Sequence, residues 1–250
     1  MKNKFKIKQN TKQLTVICMR KLLSICDTFT NEYDIKFIAQ KSKLLVVSPS
    51  NCHRQATGQT SYCPFLIGGN QIEHVESLSH LGHIITSNLS DKEDIHYRRN
   101  CFIGQIKNVL CFYSKQRCSV RTKLFQTYCN SRYGCELWSL YDSSISDFCA
   151  AWRKAVRRIL NIPPDTHNYL IKLIPLLLNN ALPFLDDACK RSARFVFSCI
   201  QSDSSLIQSI AKRGIFEGHC KSVIEKNVAF LCSHFGWQLV HFVNTAKSRR

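Results

Sequence analysis

The first fifty residues change from a helical to a strand-like pattern of apolar positions. Leu22, Ile25, Phe29 and Tyr33 are spaced 3, 4 and 4 residues apart, which predicts one apolar face of an α-helix. The continuous apolar run "KLLVVS" at residues 43–48 predicts a buried strand.

Residues 1–13 carry five lysines and no acidic residue. Lysine alternates with Phe5 and Ile7, a pattern compatible with an edge strand. A charge run of this kind is equally typical of a disordered basic arm. Both interpretations stay open on the sequence alone.

A loop and then strands are predicted between residues 49 and 86. The polar stretch 49–64 is punctuated by Gly and Pro and predicts a loop. "FLIGGNQIEHV" (65–75) predicts a hairpin, because Gly68-Gly69-Asn70 accept positive φ at a tight turn. "LSHLGHIIT" (78–86) ends in β-branched residues and predicts a further strand.

Helical patterns follow from Ser90 onward. Ser90-Asp91 predicts an N-cap, and Asp91, Glu93 and Asp94 place negative charge in the first turn. The predicted apolar stripes are Ile95, Phe102, Ile106, Val109 and Tyr113, then Val120, Leu124 and Tyr128, then Trp152, Val156, Ile159 and Leu160. Three more helical segments are predicted at 169–179, 186–201 and 221–243. This order predicts an α+β fold with a mostly helical C-terminal region.

The charge of the chain points to a polyanionic partner. The formal net charge is +18 over 250 residues, and nucleic acid is the commonest partner of so basic a protein. In the predicted helix 147–160, Arg153/Arg157 and Lys154/Arg158 form two like-charged i,i+4 pairs, each unfavourable by about 0.2–0.5 kcal/mol. A phosphate backbone would offset that repulsion. A solvated basic face is the alternative.

The cysteines and the hydropathy indicate an intracellular protein without a membrane span. The chain has 14 cysteines but no C-x-x-C spacing, and the apolar stretch 14–18 is too short for a secretory signal. We therefore expect reduced thiols that act as small apolar residues. No apolar run reaches membrane length. Nucleus and cytoplasm are not distinguished.

Two histidine-containing groups were weighed as metal sites. His80 and His83 lie three apart in a predicted strand, where residues i and i+3 point to opposite faces, so they should diverge to the two faces of a hairpin. Cys52, His53, Cys63 and His74 match no common zinc spacing. We expect no metal at either group.

Several segments, in order, resemble one family. "MRKLLSICDTFTNEYDIKFIAQKSKLLVVSP" (19–49) and "FLIGGNQIEHVESLSHLGHIIT" (65–86) are similar to the segment after the catalytic hairpin of non-LTR (LINE-type) retrotransposon reverse transcriptases. The helical segments "CFIGQIKNVLCFYS", "LFQTYCNSRYGCELWSLY" and "FCAAWRKAVRRILNIPPDTHNYLIKLI" resemble the thumb of these enzymes and the region after it. The resemblance covers about residues 19–200.

The resemblance implies a division of the chain into four parts. They are a basic leader unlike the family (1–18), a palm-edge remnant with a primer-grip-like hairpin (19–90), a thumb-like helical region (91–165) and a helical C-terminal extension (166–250). His80, Leu81 and Gly82 take the place of the family's primer-grip aromatic-Leu-Gly. Lys41 takes the place of a lysine proposed to protonate pyrophosphate, although Ile38 replaces the family asparagine.

The resemblance also predicts that the catalytic aspartates are absent. In the intact family they hold two Mg²⁺ ions, but "NKFKIKQNTKQLTVIC", which stands where the second aspartate motif would lie, has no Asp or Glu. Phe184-Leu185-Asp186-Asp187 imitates that motif but follows the thumb-like region, so we interpret its acids as ordinary helix N-terminal charges. We expect a truncated protein with no polymerase activity and no cofactor of its own.

The resulting hypothesis is a reverse-transcriptase-like protein that binds primer–template RNA or DNA by its phosphate backbone. The residues predicted to contact phosphate are Lys41, Lys43, Arg98, Arg99, Lys107, Arg153, Lys154, Arg157 and Arg158. The alternatives are a non-enzymatic basic nucleic-acid-binding protein and an inert genomic remnant. Neither the oligomeric state nor a preference between RNA and DNA follows from the sequence.

Overall fold

A computed structural model describes residues 2–35, 37–38, 41–47, 64–129, 132–179, 182–216 and 222–238. It is 64% helical with a few small strands, which confirms the predicted α+β fold with a mostly helical C-terminal region. The chain divides into two compact units. The first comprises residues 1–80 and 84–90, and the second comprises 81–83 and 91–250.

The first unit begins with helix α1, Lys2–Tyr33. The edge strand considered for this segment is wrong, because residues 2–13 belong to α1. No Pro or Gly interrupts the first 33 residues, which removes the usual reasons for a helix to end. The helix predicted there is confirmed, but its predicted apolar face is wrong, since Val16 and Leu23 pack on the small core instead. All four residues of the predicted stripe are exposed: Leu22, Ile25, Phe29 and Tyr33.

Within the described residues, six short strands follow α1, and they belong to the first unit apart from His83 at the start of the last strand. They are β1 (Lys43–Leu45), β2 (Leu66–Ile67), β3 (Asn70–Gln71), β4 (Glu73–Val75), β5 (Ser77–His80) and β6 (His83–Thr86). β1 pairs in parallel with β4, β2 with β3 in antiparallel register, and β5 with β6. Phe65, Ile67 and Ile72 are the buried residues of this unit's core.

Two tight turns explain two of these strand pairs. Gly68 and Gly69 have φ of 56° and 76°, so the predicted hairpin is confirmed. The single strand predicted at residues 78–86 is wrong, because Leu81 and Gly82 turn the chain with φ of 49° and 76°. Two consecutive residues with positive φ form a hairpin turn rather than a continuous strand.

The second unit contains seven helices within its described residues. They are α2 (Lys92–Tyr113), α3 (Cys118–Leu124), α4 (Ser143–Leu160), α5 (Asn168–Asn179), α6 (Phe184–Ile200), α7 (Ser205–Phe216) and α8 (Val223–Phe235). Aromatic rings of Phe102, Phe148 and Phe184 join α2, α4 and α6 in one core, with the last two stacked at 4.1 Å between centroids.

A π-helical turn corrects the apolar stripe predicted for the second helix. Phe125–Cys129 is π-helical and directly follows α3. The wider turn changes which side chains face the core, so Phe125 and Cys129 are buried while Val120 and Tyr128 are exposed. In α2 and α4 the predicted stripes are confirmed apart from Tyr113, which is exposed, and Leu160, which is partly buried.

The segment between the π-helical turn and α4 is held by buried polar side chains. Asn227 of α8 accepts a hydrogen bond from the Leu140 backbone N–H and donates one to the Trp138 carbonyl, both at 2.9 Å. Arg132 is buried and lies 2.6 Å from the carboxylate of Asp187. These contacts fix a short irregular segment against α6 and α8, because buried polar groups need partners.

Candidate nucleic-acid interface

A cleft of about 370 Å³ between α2 and α4 gathers four of the predicted phosphate-binding residues. Its basic side chains are Arg99 and Lys107 from α2 and Lys154 and Arg158 from α4. Asp147 is the acidic residue that lines it. Four cations against one carboxylate leave an excess of three positive charges, so the cleft is suited to a polyanion.

The floor of the cleft explains how these cations come together. Phe102 and Ile106 of α2 face Ala151 and Ala155 of α4 across it. The small alanine side chains let the two helices approach closely, and the long basic side chains rise from the rims. Lys107, Lys154 and Arg158 are exposed, and Arg99 is half-buried. A buried floor thus presents the charges on one open surface.

The four basic residues predicted on α4 are divided by the structure. Only Lys154 and Arg158 line the α2/α4 cleft. The Arg157 guanidinium donates to the Thr166 carbonyl at 2.8 Å and to Asn168 Oδ1 at 2.9 Å, so it ties the end of α4 to the start of α5. Arg153 lines a different cleft.

The cleft that contains Arg153 has a volume of about 400 Å³ and a mostly apolar lining. Lys172 of α5 is the second basic residue in its wall, and Trp152, Phe184 and Phe230 are among its apolar residues. Arg153 is therefore separated from the cations of the α2/α4 cleft, although helical spacing places it beside Lys154.

Arg98 is engaged at the hairpin tip, defined as residues 81–83. Its guanidinium donates to the Gly82 carbonyl and lies over the rings of Tyr97 and Tyr133, at 5.8 and 5.4 Å from their centroids. The Tyr133 hydroxyl donates to the Leu81 carbonyl at 2.9 Å. Arg98 thus holds the tip by donating to its backbone. Its position off the apolar stripe had predicted a phosphate contact and not this internal one.

The three residues with primer-grip-like positions differ in their surroundings. Leu81 and Gly82 belong to the second unit with Arg98 and Tyr133, while His80 is an exposed residue of the first unit. Gly82 has little room for a side chain, since a Cβ there would lie 3.3 Å from Tyr133 Cε1. A glycine is therefore needed for both its φ and its close contact.

Asp94 is the buried acid behind the hairpin tip. Its carboxylate accepts a 2.7 Å hydrogen bond from the Trp138 indole and lies 3.1 Å from His83 Nδ1. Asp91 is the N-cap residue of α2 as predicted, but its carboxylate makes no capping hydrogen bond and accepts from the Ser139 backbone N–H and hydroxyl, both at 2.8 Å. These acids connect the start of α2 to the segment before α4, which is more specific than the predicted helix-dipole role.

Lys41 and Lys43 belong to the first unit, whereas the other seven predicted cations belong to the second. Lys43 forms an ion pair with Glu73 across the β1–β4 pairing. Lys41 is exposed. The structure therefore places neither of them in the α2/α4 cleft.

The acids that imitate a catalytic motif have basic partners. Asp187 accepts from Arg191 Nε at 3.0 Å as well as facing Arg132, and Asp186 lies 2.9 Å from His234 Nε2. Phe184 before them is buried in the core. The two carboxylates therefore have a structural role, in which they hold α6 against Arg132 and against His234 of α8.

Metal ligation finds no geometric support within the described ranges. Over those residues no three His, Cys, Asp or Glu side chains are grouped so as to hold an ion. Cys52, His53 and Cys63 lie outside the residues that the structure describes. As for membranes, none of the described helices combines the length and the apolarity that a bilayer crossing requires.

The described cysteines fall into three groups by burial. Cys129, Cys135 and Cys189 are buried, and their loss of solvation raises the thiol pKa to about 11, about 12 and about 12 respectively. Cys18, Cys101, Cys111 and Cys118 are exposed. Among the partly buried cysteines, Cys149, Cys199 and Cys232 also pack against the core. The apolar role expected for the cysteines therefore suits these and the buried group, and not the exposed one.

Comparisons with family models, curated proteins and solved structures return no match to this chain.

Proposed function

We propose that this chain is a reverse-transcriptase-like protein of non-LTR retrotransposon origin, and that its helical unit binds primer–template RNA or DNA by the phosphate backbone. The observation that supports it best is the convergence of Arg99, Lys107, Lys154 and Arg158 on one cleft. The motif resemblance supplies the family, and the net charge of +18 favours a polyanion. We place the protein inside the cell.

The proposal has a measurable electrostatic consequence. Each phosphate that a Lys or Arg neutralises releases condensed counterions, so log K falls with log salt by about 0.9 per contact on duplex DNA. Four contacts give a slope of about −3.6, which is a loss of roughly 150-fold in affinity between 50 and 200 mM salt. Contacts of this kind read the backbone and not the bases.

The test is fluorescence anisotropy of a labelled RNA–DNA hybrid against the purified chain over a range of KCl. One variant carries Arg99→Gln, Lys107→Gln, Lys154→Gln and Arg158→Gln. A matched control carries Lys190→Gln, Arg194→Gln, Lys212→Gln and Lys226→Gln, four exposed cations of α6–α8. Both variants remove four charges.

Comparing the two variants distinguishes binding at the cleft from binding through the overall positive charge of the chain. We expect the cleft variant to lose most of the salt slope and the control to keep it. Equal losses in both variants would contradict the cleft as the interface. No binding by the wild-type chain at low salt would favour the inert remnant.

The proposal includes no polymerase activity for these 250 residues. Two-metal nucleotide transfer needs carboxylates that fix both Mg²⁺ ions, and the acids that imitate such a motif here, Asp186 and Asp187, have basic partners. Mg²⁺-dependent primer extension that co-purifies with the chain would contradict this part of the proposal.

A further inference from the structure

The hairpin tip carries two exposed tyrosine rings beside the partly buried side chain of Arg98. Tyr97 is 52% exposed and Tyr133 is 54% exposed. The Arg98 guanidinium lies over both rings. Beside them, Leu81 is 78% exposed. These four residues belong to the second unit, and we name them the tip platform.

The tip platform is held in place before any ligand arrives. Tyr133 donates its hydroxyl hydrogen to the Leu81 carbonyl, and Arg98 donates to the Gly82 carbonyl. The Gly82 position brings the turn against the edge of the Tyr133 ring. Ordering exposed side chains in advance lowers the entropy that a ligand must overcome on binding.

The chemistry of the tip platform selects one kind of ligand. Exposed tyrosine rings stack on flat π-systems, whereas Arg98, which faces the buried Asp94 carboxylate and donates to Gly82, holds the two rings in place. An unpaired nucleobase offers such a flat face. A base in a duplex offers no free face, so the platform is suited to a single strand or an unpaired end.

We propose that the tip platform binds an unpaired nucleobase by stacking on Tyr97 and Tyr133, with Arg98 between them. The inference rests on the proposed nucleic-acid function and adds a second type of contact to it. Stacking is sequence-tolerant because every base has a π-face. The α2/α4 cleft holds backbone phosphate, whereas the tip platform distinguishes unpaired bases from paired ones.

The experiment compares a labelled 12-nucleotide single strand with the same strand made of abasic sites. The variants are Tyr97→Ala, Tyr133→Ala and Tyr133→Phe. The matched control is Tyr169→Ala, an exposed tyrosine of α5. Tyr133→Phe removes the hydroxyl that holds Leu81 but keeps the ring, so it separates stacking from the hydrogen bond. Circular dichroism verifies that each variant is folded.

We expect the intact strand to bind more tightly than the abasic strand to wild-type protein. Tyr97→Ala and Tyr133→Ala should each weaken binding of the intact strand by about 5- to 100-fold. Tyr169→Ala should stay within about threefold of wild type, a change of less than 1 kcal/mol. Tyr133→Phe should weaken binding less than Tyr133→Ala because it keeps the ring.

Three results would overturn the inference. They are equal affinity for the abasic and intact strands, no loss in Tyr97→Ala, and a loss in Tyr133→Phe as large as that in Tyr133→Ala. Its failure is distinguishable from failure of the proposed function. If hybrid binding and its salt slope persist while base effects are absent, only the tip platform is refuted. If the hybrid does not bind at all, the proposed function fails.

Discussion

Asp94 is the residue whose loss tests most directly how the second unit is held together. Its side chain is fully buried, and it accepts the Trp138 indole hydrogen at 2.7 Å. Asp94→Ala removes that acceptor and leaves the indole N–H inside the core. Glu93→Ala is the matched control, because Glu93 is the other acid in the first turn of α2 and is exposed.

The magnitude follows from what each variant loses. Both lose a negative charge near a helix N-terminus, which is worth about 0.3–1 kcal/mol. Asp94→Ala also leaves a buried donor without a partner, at a cost of about 1–3 kcal/mol and more when the lost acceptor is charged. It further removes the carboxylate that faces His83 and Arg98. We expect Asp94→Ala to be at least about 2 kcal/mol more destabilising than Glu93→Ala.

Urea unfolding followed by far-ultraviolet circular dichroism measures the difference, since that signal comes mainly from helices. Amide hydrogen exchange of residues 132–142 gives a local measurement if the two units unfold separately. Asp94→Asn keeps an acceptor for the indole and should lie between wild type and Asp94→Ala. Equal midpoints for Asp94→Ala and Glu93→Ala would refute the buried hydrogen bond as a stabilising contact.

Three further predictions concern stability and thiol chemistry. Gly82→Ala should destabilise the protein by about 1 kcal/mol or more, because φ is positive there and Tyr133 is close. Gly104→Ala is the control: it lies in mid-helix with open space around it and should stabilise the protein slightly. Thermal melts measure both changes. Asn227→Ala should cost about 2 kcal/mol, since two buried backbone groups lose their partner. Exposed cysteines should react with maleimide at pH 8 well before buried ones, as mass spectrometry of labelled peptides would detect. The sites to compare are Cys101, Cys111 and Cys118 against Cys129, Cys135 and Cys189.

The raised thiol pKa values give a pH dependence with a definite sign. The folded state keeps Cys135 and Cys189 protonated up to about pH 12, whereas an ordinary cysteine has a pKa of 9.0. The unfolded state therefore releases protons first, so their contribution to stability is full below pH 9 and is lost between about 9 and 12. A midpoint unchanged across that range would contradict the burial of these thiols.

Helix positions were predictable to a large extent, because long apolar stripes at 3.6-residue spacing have few other interpretations. α4 follows its predicted stripe and ends as predicted before Asn161, which has φ 57°. It begins at Ser143 and not at Asp147, because the Asp142 side chain caps it by accepting from the Ser144 N–H. The π-helical turn after α3 was not predictable, because nothing in the apolar spacing marks an inserted residue. Tyr128 was assigned to the core for that reason, and Cys129 occupies it instead.

The contacts that hold the hairpin tip could not be foreseen, because their partners are far apart in the chain. Tyr133 and Leu81 are 52 residues apart, and local spacing carries no information about such a pair. The one local signal was the adjacent Tyr133-Gly134, in which Gly134 has φ 82° and leaves room for His83. A glycine after an aromatic residue indicates a turn, but not what the ring contacts.

The distribution of the cations shows why charge on a helix is a poor guide to an interface until the fold is known. Arg153, Lys154, Arg157 and Arg158 are contiguous on α4, and spacing alone treats them as one basic face. Only Lys154 and Arg158 meet the cations of α2, while Arg153 lines a separate, mostly apolar cleft and Arg157 donates to the carbonyl of Thr166. An arginine with two protein acceptors gives up those bonds to bind phosphate, which is unfavourable by about 1 kcal/mol or more for each bond left unmade. The affinity of a basic protein for nucleic acid is therefore set less by its total charge than by the cations that the fold leaves without acceptors. In the described part of the chain, the rims of the α2/α4 cleft bring four such side chains together on one surface.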